Sequence, residues 1–109
     1  MKVFYVAGRY RAKTEWELIN NIRRAEEAAL ELWKKGYAVL CPHKNTQNFQ
    51  GALPDKIWLD GCCELLSRCD AVLMLDGWKQ SEGATLEFEL ANTLGLEIYY
   101  DLKDIESVN

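Results

Sequence analysis

Short runs that are apolar at nearly every position alternate along the chain with longer stretches in which apolar residues recur every three or four positions. This is the pattern of buried strands separated by amphipathic helices. KVFYVA (2–7) is the first apolar run and ends at Gly8. Thr14 followed by Glu17 fits a capping box, so a helix is predicted over 14–35 with Gly36 as its stop. Leu18, Ile22, Ala25, Ala29, Leu32 and Trp33 form its packing face; Arg23, Arg24, Glu26, Glu27 and Glu31 occupy the solvated side. YAVLC (37–41), closed by Pro42, is the second strand and completes a β-α-β unit. Its right-handed crossover makes the two strands parallel neighbours.

Residues 43–55 (HKNTQNFQGALPD) are polar and without period, and predict a long functional or mobile loop. A helix over 56–68 follows, carrying Ile57, Trp58, Cys62, Leu65 and Leu66. AVLML (71–75) is apolar throughout and therefore a central strand. A helix over 83–94 turns Ala84, Phe88, Ala91 and Leu94 to the core and stops at Gly95; LEIYY (96–100) is a fourth strand. The tail DLKDIESVN either adds a short helix or frays. The alternation predicts one domain, 1–109, with an α/β, Rossmann-like (flavodoxin-like) fold: an open, mostly parallel sheet of four to five strands with helices on both faces. Ligands of such sheets bind beyond the carboxyl ends of the strands. Here those ends lead into GRYR, CPHKN and DGWKQSEG.

Charge narrows the partners. A formal net charge of -4, with basic residues interleaved among acids, leaves no footprint for polymeric nucleic acid. No apolar run reaches membrane length and MKVFYVAG is too short for a leader, so a cytoplasmic protein is expected. Cys41, Cys62, Cys63 and Cys69 include an adjacent pair, poor geometry for a disulfide framework, and are read as thiols. Zinc held by Cys41, His43 and the Cys62 pair lacks any paired CxxC spacing, and neither a metal nor a cofactor is expected.

The candidate chemistry centres on Glu87. Its neighbours at helical spacing are Gly83, Ala84, Leu90 and Ala91, which set it on the apolar side, whereas Glu89 lies among Thr85, Asn92 and Thr93. A carboxylate on a packing face must be paired, protonated or employed. The alternatives are a functional acid or an ion pair with Arg9 or Arg11. Ser81 either caps the helix or donates to a phosphate at the helix N-terminus, with Gly83 beside it. Gly8 is a strand-to-helix turn and a point of close ligand approach. Tyr10 and Trp78 either stack on a planar base or pack at the rim. His43 is an acid-base group or a hydrogen-bonding loop residue. GRYRAK is neither a Walker loop nor a GxGxxG fingerprint, which argues against ATP hydrolysis and ordinary dinucleotide binding.

Taken together, YVAGRYRA, NIRRAEEAALELWKKGYAVLCPHKNT, ELLSRCDAVLMLDGW and S-E-G-A-x-x-E resemble the DUF4406 group of the nucleoside 2-deoxyribosyltransferase-like superfamily over nearly the whole chain. The most specific part is the order strand, Gly77-Trp78, Ser81, Gly83 and Glu87. The resemblance implies that Glu87 is the nucleophile at the sugar C1′, with the Ser81 turn near the 5′ end. It also implies active sites completed by a neighbouring subunit, hence a homodimer or higher homo-oligomer. Relatives carry an aspartate eight residues before the position of Asp70, and that position is Cys62 here. Asp76 is the candidate replacement acid. The expected function is an N-glycosidase or N-deoxyribosyltransferase acting on deoxynucleosides or their 5′-monophosphates, as hydrolase or transferase, with Gly8, Arg9, Tyr10, Cys62, Gly77, Trp78, Ser81 and Gly83 around the substrate. The alternatives are a non-catalytic nucleotide-binding module and a protein retaining the fold alone.

Overall fold

The computed structural model describes residues 1–109, in the order β1 (Val3–Ala7), α1 (Glu15–Lys34), β2 (Ala38–Leu40), α2 (Pro42–Asn45), α3 (Asp55–Ser67), β3 (Ala71–Met74), α4 (Glu82–Leu94) and β4 (Glu97–Tyr99). Single 3-10 turns cover Trp78–Gln80 and Leu102–Asp104. The four strands form one parallel sheet in the order β2-β1-β3-β4. The chain moves outward from β1 to β2, then crosses back through α3 to β3 on the other side of β1, so strand order reverses between β1 and β3. Ala7 and Met74 are register partners at the carboxyl ends of those two strands, next to the crevice that such a switch point opens.

Because successive strand side chains point to opposite faces, the sheet feeds two half-cores. Phe4, Val6, Ala71 and Leu73 meet Ala25, Ala28, Ala29 and Leu32 of α1 on one face, sealed by Ile105 of the tail. Tyr5, Ala7, Val72 and Met74 meet Leu66 of α3 and Ala84 and Ala91 of α4 on the other. The Thr14 hydroxyl accepts from the Glu17 backbone N–H at 3.1 Å, the cap that starts α1. The tail is docked: Val108 N–H donates to the Lys35 carbonyl at 2.7 Å.

Three expectations need correction. Residues 42–45 form a helical turn rather than the start of a loop, because Pro42 presets the backbone angle of a first helical residue. Trp33 is 53% exposed beside a fully buried Leu32, since one residue rotates a helix by about 100°. Leu94 is 47% exposed, since ten residues after Ala84 the face has drifted by about 80°. No helix is long and apolar enough to cross a membrane.

Gly8 is fixed by packing. A Cβ there would lie 2.9 Å from Leu75 Cδ1 and 3.0 Å from Leu75 Cβ, and the latter cannot swing away. Gly8→Ala is expected to cost about 1–3 kcal/mol, read as a lower denaturant midpoint with an unchanged slope.

Candidate active site

The sheet face covered by α3 and α4 carries the one buried acid of the molecule. Glu87 is 8% exposed, and Tyr5, fully buried in the middle of β1, donates its hydroxyl hydrogen to Glu87 Oε2. The thiol of Cys62, half-buried on α3, approaches the same hydroxyl and the same carboxylate. Burial pushes the Glu87 carboxyl up to about 7, and the hydrogen bond from Tyr5 holds it below where burial alone would leave it. Burial, then the Glu87 charge, pushes the Tyr5 phenol far above its usual range. The same two influences, in the same order, raise the thiols of Cys62 and Cys63. The result is one carboxylate poised near neutrality in a buried environment with no charged partner, suited to nucleophilic or proton-transfer work.

The remaining residues divide. Ser81 caps α4, its hydroxyl accepting from the Ala84 N–H at 3.1 Å. A Cβ on Gly83 would meet nothing closer than Leu59 Cδ1 and Ser81 Oγ, both at 4.0 Å, so protein packing does not require glycine there. Gly77 adopts φ 85°, the left-handed conformation that redirects the chain after β3. Trp78 packs on Phe88 at 4.6 Å and on Tyr100 at 6.3 Å, while Tyr10 meets His43 edge-on at 5.5 Å. Both rings are thus already in contact with other aromatics. His43 is buried, and its Nε2 pairs with the Arg9 carbonyl at 3.1 Å; its Nδ1 is buried without a partner, and burial lowers the imidazole's pKa.

Arg9, Asp76 and Gly77 do not join Glu87. They line a cleft of about 840 Å³ on the opposite side of the sheet, together with Arg24, Glu27 and Glu31 of α1. Arg11 is paired with Asp55 at 2.5 Å. Neither arginine considered as an ion-pair partner reaches Glu87; its partner is Tyr5, which the sequence pattern presents only as one residue of an apolar strand. The available signal was a hydroxyl in a run that is buried on both faces, where a phenol needs a partner. Cys41 packs in the α1-side core and Cys62 against the other, so Cys41, His43 and Cys62 do not converge as a metal-ligand set.

No curated protein matches the chain. Among solved structures, a 2-deoxyribosyltransferase from the psychrotolerant bacterium Bacillus psychrosaccharolyticus superposes with a TM-score of 0.63 over 88% of this chain and 69% of that one, at 17% identity. At that identity the likeness is one of fold: four parallel strands with helices on both faces match the deoxyribosyltransferase fold. Residues 2–100 match the family described as a domain of unknown function, DUF4406. With that match spanning most of its length and the fold agreeing, the chain belongs to the DUF4406 family and has the nucleoside 2-deoxyribosyltransferase-like fold.

Proposed function

We propose that the protein cleaves the N-glycosidic bond of deoxynucleosides or deoxynucleoside 5′-monophosphates, with Glu87 as the nucleophile. The observation that carries this reading is a buried carboxylate held by a single neutral donor, Tyr5, with no cation near it. Ion pairing therefore does not explain its burial. A carboxylate beneath C1′ stabilises the oxocarbenium-like transition state and traps the sugar as a glycosyl ester. Water then releases free sugar, and a second base accepts it in a transfer. No cofactor enters. Ser81 and the uncrowded Gly83 suit the sugar's 5′ end, where the first N–H groups of α4 favour an anion.

The test is incubation with the four deoxynucleosides and their monophosphates, with and without an added free base, followed by chromatographic separation of bases. Absence of both base release and base exchange would sink the reading. Gly83→Ala makes a second check. It should raise the melting temperature slightly, through about 0.5–1 kcal/mol of helix propensity. It should also raise KM, because the methyl group enters the substrate's space. An unchanged KM would remove Gly83 from the site.

A second reading, a nucleotide-binding module without turnover, is favoured by the neutral thiol of Cys62 beside Tyr5 and Glu87. It predicts a saturable thermal shift with nucleotide and no free base. In either case a homodimer or higher oligomer is expected, supported by the exposed Leu86 and Leu94 on α4 and Ile57 on α3, and tested by light scattering.

A further inference from the structure

Glycosidic cleavage by one carboxylate leaves open where the departing base obtains a proton. The acids around α3 and α4 are otherwise engaged or turned away. Asp60 is bound to Lys56 at 2.5 Å, Glu64 to Arg68 at 2.9 Å and Asp55 to Arg11 at 2.5 Å, all with largely exposed side chains. Glu82 and Glu89 sit about 140° and 200° around α4 from Glu87 and are exposed. Asp76 opens into the cleft on the α1 side, and His43 is held by the Arg9 carbonyl. Of the chain's own groups, what remains beside Glu87 is the Tyr5 hydroxyl, whose hydrogen is already donated to the carboxylate, and the thiols of Cys62 and Cys63. All three are weak acids made weaker by burial. Glu87 cannot fill the gap, since it must be ionised to attack.

We infer that the site is built for deoxynucleosides or deoxynucleotides whose base already carries a positive charge, such as a 7-alkylated purine, and that Cys62 sets this preference. The inference rests on Glu87 being the nucleophile. As Glu87 forms a C1′–O bond, the C1′–N bond breaks and its electron pair passes to the base. A cationic base departs neutral and needs no proton, whereas a neutral base departs as an anion unless an acid serves it. Water then attacks C1′ of the glycosyl ester, loses one proton to solvent, and returns Glu87 as a carboxylate.

The experiment compares 2′-deoxyguanosine 5′-monophosphate with its 7-methyl derivative at pH 7, with base release followed by chromatography. Blanks without protein and with Glu87→Gln are subtracted, because the methylated nucleotide loses its base spontaneously. The methylated substrate should turn over at least about 10²-fold faster, the range that a missing general acid spans. Cys62→Asp, which places a carboxylic acid beside Tyr5, should narrow that ratio by about tenfold or more. Equal, Glu87-dependent rates for both substrates would overturn the inference and leave the glycosidase reading standing. A folded Cys62→Asp protein with an unchanged ratio would overturn it as well. No release from either substrate above the blanks would overturn both readings. The wild-type ratio decides the matter even if the variant fails to fold.

Discussion

Glu87→Gln should reduce base release by about 10³-fold or more and, at the same time, make the protein more stable above neutral pH. An amide has no electron pair to offer C1′, so the covalent route closes. The stability gain follows from linkage. The carboxyl moves from 4.5 to about 7 on folding, so between those values the folded state holds a proton that the unfolded state has lost. Stability from this group is therefore full below about pH 4.5 and is lost as pH rises through 7. At about 1.4 kcal/mol per pH unit, the penalty for the ionised form reaches about 3 kcal/mol above pH 7. Gln escapes that penalty but introduces an amide donor costing about 1 kcal/mol if unmet. A net gain of about 2 kcal/mol at pH 8 should appear as a rise in Tm of roughly 10 °C, turning at pH 4 into a loss of about 1 kcal/mol, the cost of the unmet amide alone. Equal Tm differences at both pH values would show that Glu87 is not buried as a charge. A functional acid held at a cost to stability is what a working site predicts.

Tyr5→Phe should lower turnover at pH 7 by about ten- to a hundredfold, with part of the loss recovered as pH rises. The Tyr5 hydroxyl is the one hydrogen bond that favours ionised Glu87 against its burial. Without it the carboxyl climbs further, and less of the attacking form exists at neutrality. The acid limb of the pH–rate profile therefore moves to higher pH. A uniform loss with an unshifted profile would mean that Tyr5 only supports packing. The same variant leaves a buried carboxylate with no donor, so it should also cost about 1–3 kcal/mol of stability at pH 8 and less at pH 4.

The strands and long helices were legible because their signals are local. KVFYVA and AVLML are apolar in succession, and Thr14 with Glu17 encodes its own cap. The burial of Glu87 and the exposure of Glu89 also follow from position along one helix. Where the expectations failed, the local signal was short or ambiguous. Four residues at Pro42 are too few to show a period, and Trp33 and Leu94 are apolar residues whose angle on the helix carries them off the packed face. Asp76 and Arg9 lie in strand-end turns as expected, but a turn can open to either face of a sheet, and theirs open toward α1.

The sequence by itself determined the alternation of elements, the parallel sheet they imply, and an acid on the inner side of α4, because periodicity and capping act over a few residues. Only the tertiary structure decided the strand order, which face each turn serves, and that Tyr5 holds Glu87 with Cys62 alongside. Tyr5 and Glu87 are 82 residues apart in the chain. Their meeting is fixed by the crossover of α3 and the docking of α4 on β1, which no local pattern records.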